Sequence, residues 1–167
     1  MIRGILLLLL ISGGLHAEIV DVTIFHTTDL HGHILPTTDY EGNENVGGLA
    51  KLIDVLEARR AAAPGSLLVD NGDTAQGTVA SRLTGGDAII SCMNELGYDA
   101  WNLGNHEFDW GLDALVRNVN AFRGTVLSAN CLWAGDGPSP LSRVKPYVIR
   151  DVKGVSVALV GITHPKI

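Results

Sequence analysis

Three short segments of the sequence carry carboxylate, imidazole and amide side chains in close succession. The first contains Asp29 and His31, the second contains Asp73, and the third contains Asn105 and His106. Oxygen and nitrogen donors without a thiolate suit zinc, manganese and similar divalent cations. Each segment alone has an ordinary explanation, because Asp and Asn near Gly are common turn residues. Their recurrence in three segments favours a metal centre.

The spacing within these segments suggests how an ion would be bound. In extended backbone, residues i and i+2 project to the same side, so Asp29 and His31 could hold one ion. Asp73 has two carboxylate oxygens and could bridge two ions, and Gly72 before it would let the backbone approach a metal closely. Asn105 offers a neutral carbonyl oxygen as a further ligand.

His106 follows Asn105 directly, so its ring is expected to project elsewhere than the amide. Asp109 lies three residues further along and could accept an imidazole N–H, which would fix the orientation of the ring. Glu107 is expected to support the site or the start of the following helix. His26 and His33 are expected to hydrogen-bond around the metal-binding loop.

Alternating strands and helices must position these side chains. Strands are predicted at residues 19–25, 67–69, 99–103, 126–128, 147–150 and 155–160. Helices are predicted from apolar residues spaced three and four apart at 49–56, 89–96 and 112–119. This order predicts an α/β layered domain with a largely parallel sheet. The three polar segments follow three consecutive strands, and ligands of such sheets bind beyond the carboxyl ends of the strands.

The composition excludes several classes of protein. The chain has 18 acidic and 12 basic residues, a net charge of −6, which argues against binding of a nucleic-acid duplex. Hydrophobic residues make up 46% of the chain, so it is not intrinsically disordered. Two cysteines are too few for a disulfide framework or a structural zinc cluster. Cys92 and Cys131 could form one disulfide after export or remain buried free thiols, and the sequence leaves both alternatives open.

The first 17 residues have the organisation of a secretory signal peptide. Arg3 precedes an apolar run at 5–11, and the small residue Ala17 follows it. The run is much shorter than the roughly 20 apolar residues that span a bilayer, although an uncleaved anchor is the alternative. We therefore expect cleavage after Ala17, a mature domain comprising residues 18–167, a secreted or periplasmic location, and no membrane contact after cleavage.

The three polar segments resemble the hallmark motifs of the calcineurin-like metallophosphoesterases, which are D-x-H, then G-D, then G-N-H-[DE]. In this sequence they occupy residues 29–31, 72–73 and 104–107. Longer stretches resemble the secreted 5′-nucleotidase / UDP-sugar hydrolase family, at residues 25–33, 47–50, 72–77 and 104–109. The resemblance extends over nearly all of residues 19–164.

This resemblance implies a four-layer α-β-β-α metallophosphatase fold, incomplete at the C-terminus, with two bound divalent metal ions such as zinc or manganese. It implies metal-dependent release of phosphate from a nucleotide or other phosphoester substrate. The implied site residues are Asp29 and His31 on the first ion, Asp73 bridging both ions, Asn105 on the second ion, and His106 with Asp109 as the catalytic dyad.

The sequence departs from the family pattern in three respects. Thr28 stands where the family usually has Asn, and Ala75 stands where it often has Phe. The family also takes further histidine ligands and a nucleoside-binding domain from sequence downstream of the present motifs. We therefore expect residues 18–167 to be the N-terminal part of a longer metallophosphoesterase. Alone, this part should bind one ion at most, expose apolar surface, and show weak or no activity.

Other functions are compatible with the same motifs. A cyclic-nucleotide phosphodiesterase or a thiosulfohydrolase of the same superfamily would use the same metal site. A secreted metal-binding fragment without activity is an alternative of a different class. Measuring the metal content and the phosphatase activity of one sample would separate the enzymes from the binding protein.

Overall fold

The computed structural model describes residues 19–165, so the predicted signal peptide lies outside the described part of the chain. Within it, the strands are β1 (Ile24–Thr27), β2 (Leu67–Asp70), β3 (Ala100–Asn102), β4 (Thr125–Leu127), β5 (Tyr147–Val152) and β6 (Val155–Val160). The α-helices are α1 (Ile53–Ala62), α2 (Val79–Thr84), α3 (Asp87–Leu96) and α4 (Leu112–Ala121). Short 3-10 helices occupy Leu49–Leu52 and His106–Phe108.

The first four strands form one parallel sheet in the order β1-β2-β3-β4. Each crossover between neighbouring strands contains helical structure, as parallel pairing requires. The carboxyl ends of the strands therefore lie at one edge, where the three polar segments emerge. The α/β fold with a largely parallel sheet that the sequence predicts is confirmed.

The hydrophobic core lies between this sheet and helices α3 and α4. Trp101 at the centre of the sheet is fully buried and meets Phe122 edge-on, with ring centroids 5.7 Å apart. Each large apolar side chain buried in this way contributes about 1.5–3 kcal/mol to stability. The core residues that α3 and α4 contribute are Ile89, Ile90, Met93, Leu115 and Val119.

Strands β5 and β6 form an antiparallel hairpin that turns at Lys153 and Gly154, both with positive φ. The hairpin exposes apolar side chains on the face that carries Tyr147 and Ile149, which are 54% and 57% exposed. Val155 and Ile162 are also exposed, in line with the predicted exposure of apolar surface. Val157 and Leu159 are half-buried.

One predicted strand boundary is wrong, and one helix was not predicted. The first strand begins at Ile24 instead of residue 19, because Ile19 is 91% exposed and strand pairing with β2 starts only at Ile24. Helix α2 was not predicted, because its apolar residues Val79 and Leu83 are exposed and leave no buried stripe. It is defined by its ends instead, where the Thr78 side chain accepts a hydrogen bond from the backbone N–H of Ser81 and Gly85 adopts the left-handed conformation.

Two further expectations concern cysteines and membranes. Cys92 and Cys131 are free thiols, each partly buried, so the unpaired alternative is the one observed. Among the helices of residues 19–165, we find none with the length and apolar character needed to cross a bilayer.

Candidate metal centre and catalytic dyad

The loops that follow β1 and β2 run side by side beyond the ends of the strands. The backbone N–H groups of Asp29 and His31 donate to the carbonyl oxygens of Gly72 and Asp73, at 3.0 and 2.9 Å. The parallel pairing of the two strands is thereby continued into the loops. These bonds bring the first two predicted metal-binding segments together.

The backbone at this position is left-handed rather than extended. Within residues 19–165, five non-glycine residues have positive φ, and three of them are Asp29, His31 and Asp73, with φ of 54°, 46° and 55°. The argument that extended backbone aligns Asp29 with His31 is therefore wrong. Sparsely populated backbone conformations that cluster in this way persist where the surrounding structure enforces them, which is common at functional sites.

The side chains of Asp29, His31 and Asp73 converge nevertheless. Each offers a ligand atom, and these atoms lie within 4.8 Å of one another. The imidazole Nε2 of His31 is 3.8 Å from Oδ1 of Asp29. Two carboxylates and one imidazole at this separation form a donor set that suits a divalent cation. We call these three residues the metal group.

Hydrogen bonds orient every member of the metal group. Nδ1 of His31 is 2.9 Å from the carbonyl oxygen of Gln76, so it carries the proton and Nε2 keeps its lone pair for a ligand. Thr28 donates its hydroxyl to Oδ2 of Asp29 at 2.5 Å. The backbone N–H of His106 donates to Oδ1 of Asp73 at 2.9 Å. In each carboxylate one oxygen is engaged, and the other is available to an ion. The residues present therefore fit a divalent metal.

The predicted pairing of His106 with Asp109 is observed. Nδ1 of His106 donates to Oδ2 of Asp109 at 2.8 Å. The 3-10 helix explains the geometry, because three residues per turn place positions i and i+3 above one another. This hydrogen bond raises the pKa of His106 above its ordinary value of 6.5, and burial opposes the rise. We call the pair the dyad.

The dyad lies directly beside the metal group. The rings of His31 and His106 meet edge-on with their centroids 5.4 Å apart. Asn105, the predicted ligand of a second ion, is half-buried and immediately precedes the 3-10 helix. Its position next to a residue that hydrogen-bonds Asp73 is compatible with that role, which remains a prediction.

Gly72 has a different role from the expected one. A Cβ at this position would overlap the backbone of Gly104, and Gly72 also has a φ of 104°. The glycine thus permits the loops after β2 and β3 to touch. Close approach to a metal, which the sequence suggested as its purpose, is not needed to explain it.

Sequence reasoning missed two residues that support the site. These are Thr28, which holds Asp29, and Gln76, which holds His31. It expected Glu107 to support the site or the following helix but did not specify its partners, which are backbone N–H groups of both adjoining loops. Burial raises the pKa of the Glu107 carboxyl, and the hydrogen bonds from the backbone oppose that rise. The segments that resemble the family contain all three residues, but neither spacing nor residue type reveals their partners.

Comparison with known proteins supports the interpretation of the motifs. The family model described as bacterial capsule synthesis protein PGA_cap matches residues 26–166. The 5′-nucleotidase of Bos taurus is 38% identical over 153 residues, which cover 86% of this chain and 26% of that protein. The trifunctional nucleotide phosphoesterase protein YfkN of Bacillus subtilis (strain 168) is 34% identical over an alignment of 190 residues, gaps included, that covers 98% of this chain and 13% of that protein.

The fold is similar to that of a solved bacterial protein. The crystal structure of the 5′-nucleotidase precursor from Thermus thermophilus superposes with a TM-score of 0.77 at 35% identity, covering 86% of this chain and 29% of that one. The chain also spans only about a quarter of the length of the bovine relative. These matches agree with the three motifs at one sheet edge. The chain belongs to the family described as bacterial capsule synthesis protein PGA_cap, and it corresponds to the N-terminal portion of calcineurin-like metallophosphoesterases of the 5′-nucleotidase type.

Proposed function

We propose that this chain carries the first part of the catalytic site of a metal-dependent phosphohydrolase that releases phosphate from nucleotides. The observation that carries the proposal is the position of the dyad against the metal group, with the His31 and His106 rings 5.4 Å apart. A structural metal site would have no need of an imidazole oriented by a carboxylate at its border. The similarity to 5′-nucleotidases supports nucleotides as the substrate class.

In the completed site, the metal group and Asn105 would contribute ligands to two divalent ions, with Asp73 shared between them. When bound, the ions would neutralise charge on the phosphoryl group and lower the pKa of an attacking water. Zinc and manganese both suit these donors. Asp29 and His31 enter the site already oriented by hydrogen bonds from Thr28 and to Gln76.

His106 would act as the general acid. Its Nδ1 is occupied by Asp109, so Nε2 is the atom that would donate a proton to the leaving oxygen of the substrate. Asp109 raises the pKa of His106, which keeps the imidazole protonated to a higher pH and supports this role. Asp109 also fixes the ring orientation, and so acts on the substrate only through His106.

The experiment that tests the proposal measures metal binding and phosphate release on one sample. The full chain is titrated with Mn²⁺, and phosphate released from AMP is then measured beside the Asp73→Asn variant. We expect binding and any release to depend together on Asp73. A faster reaction with a cyclic nucleotide or with a sulfur-linked substrate would favour the phosphodiesterase or the thiosulfohydrolase instead. Binding and release that survive Asp73→Asn would refute the proposal.

We also propose that the chain is exported. The basic residue, apolar run and small residue within residues 1–17 support a cleaved signal peptide, and the similar Thermus protein is described as a precursor. Expression in a bacterial host followed by N-terminal sequencing should give a mature chain that begins at Glu18. A chain that retains Met1 in the membrane fraction would show an uncleaved anchor.

A further inference from the structure

We infer that Glu107 is the positioning residue that joins the two parts of the site, by clamping the loop that carries Asp73 to the loop that carries Asn105 and His106. We call these the Asp73 loop (residues 71–77) and the dyad loop (residues 104–109). The inference rests on the proposed function for the roles of Asp73 and His106. It assigns Glu107 no contact with metal or substrate.

The carboxylate of Glu107 accepts four backbone hydrogen bonds, and each oxygen takes two of them. Oε2 accepts from Gly104 at 2.6 Å and from Asp73 at 2.9 Å, so a single oxygen bridges the two loops. Oε1 accepts from Thr74 at 2.6 Å and from Ala75 at 3.3 Å. Three of the four bonds therefore cross from the dyad loop to the Asp73 loop.

The surroundings of Glu107 explain why this position requires a carboxylate. The side chain is 6% exposed, and none of the ion pairs found within residues 19–165 includes it. A buried charge without a cation is costly unless hydrogen bonds satisfy it. Only an acceptor group with two oxygens can receive four N–H donors, because the amide of Gln would turn its own N–H groups toward two of them.

The loops that Glu107 joins are in direct contact. A Cβ on Gly104 would meet Oε2 of Glu107 at 2.8 Å and would overlap Asp73, so no side chain fits between the loops. The backbone N–H of His106 donates to Asp73 across the same contact. Glu107 therefore lies where a small displacement would separate the His106 ring from the metal group.

The test compares Glu107→Gln with the wild type and with Ile89→Ala, a core substitution on α3, outside both loops, that should lower stability. The first measurement needs no metal. It is the nuclear Overhauser effect between the His31 and His106 rings in the full chain. We expect the effect in the wild type and in Ile89→Ala, and its loss in folded Glu107→Gln. A merely structural role predicts lower stability with the ring contact preserved.

The second measurement is a titration with Mn²⁺ alone. We expect Glu107→Gln to reduce the affinity roughly 10-fold, the lower end of the effect of outer partners on metal sites. Ile89→Ala should leave the affinity unchanged. Should Glu107→Gln fail to fold, Glu107→Asp replaces it. This variant keeps the charge but is one methylene too short to reach both loops, so it should show the same two losses.

The two parts of the test separate the inference from the proposed function. A wild-type chain that binds no Mn²⁺ would refute the metal centre, while the ring contact would still decide the role of Glu107. A folded variant at position 107 with the wild-type ring contact and the wild-type Mn²⁺ affinity would overturn the inference.

Discussion

The metal group and the dyad lie side by side but are built in different ways. All three members of the metal group have left-handed backbone, and each is fixed by a hydrogen bond with a neighbouring loop or residue. The dyad is a local feature of one 3-10 helix, whose first residue pairs with the residue directly after its end. Both of its side chains are more than a third exposed.

This difference corresponds to the two functions proposed for them, which are ion binding and proton transfer. Binding an ion requires donors from separate strands to converge, so the backbone is held in costly conformations. Transferring a proton requires one oriented imidazole with access to substrate, which a single turn provides. Substitutions in the metal group should therefore reduce metal binding, and substitutions in the dyad should reduce turnover while leaving the ion in place.

The largest effect is expected for Asp73→Asn. The amide keeps the shape of the side chain and can still accept the hydrogen bond from His106, so the fold should persist. The loss of a shared anionic ligand should reduce Mn²⁺ affinity by at least about 100-fold, the upper end of the effect of outer partners. The measurement is a titration with Mn²⁺ beside a melting curve. Undiminished affinity in a folded variant would remove Asp73 from the metal group.

His106→Asn should show the opposite pattern. Metal affinity should be unchanged, because no ligand is lost. In a catalytically competent protein, turnover of an alkyl phosphate such as AMP should fall about 10²–10⁴-fold, the usual contribution of a general acid. An aryl phosphate should lose much less, because its leaving group departs without a proton. Equal losses on both substrates would argue against the general-acid role.

Thr28→Val tests how far the metal group depends on its hydrogen bonds. The change removes the hydroxyl that holds Oδ2 of Asp29 and keeps the side-chain volume. Mn²⁺ affinity should fall about 10-fold. Thr28→Ser restores the hydroxyl and serves as the matched control, which should bind like the wild type. The same affinity in the Val and Ser variants would show that the hydroxyl of residue 28 is not needed to orient Asp29.

The smallest effect is expected for Asp109→Asn. The Asp109 hydrogen bond is the main cause of the raised pKa of His106, so the pKa should fall toward 6.5. The charge attraction within the pair stabilises the fold only while the imidazole is protonated. Its contribution is fully present below the ordinary pKa and is lost as the pH rises through the raised one. Both side chains are well exposed, so the effect on stability should be under about 1 kcal/mol. An NMR titration of His106 that shows no decrease would contradict this.

The sequence predicts the fold and the identity of the site residues better than it predicts their geometry. Apolar periodicity located α3 and α4, because each buries a continuous stripe in the core. It missed α2, whose apolar residues face solvent. The spacing of His106 and Asp109 predicted a real contact, because that contact is local.

Contacts between distant loops could not be predicted in this way. Asp29 and His31 were assigned to one ion on the assumption of extended backbone, but they converge through left-handed conformations imposed by the loop after β2. The partners of Glu107 lie 32 to 34 residues earlier in the chain, apart from Gly104. Such partners depend on tertiary structure, and a single sequence does not specify them.

The central claim is that Asp29, His31 and Asp73 bind one divalent ion, and that His31 coordinates it through an imidazole nitrogen. Pulsed electron paramagnetic resonance of Mn²⁺ bound to the full chain tests this directly, because it detects the coupling of a nitrogen ligand to the metal. We predict coupling to one imidazole, lost in His31→Gln and retained in His106→Asn. Bound manganese without nitrogen coupling, or coupling that survives His31→Gln and disappears in His106→Asn, would contradict the account.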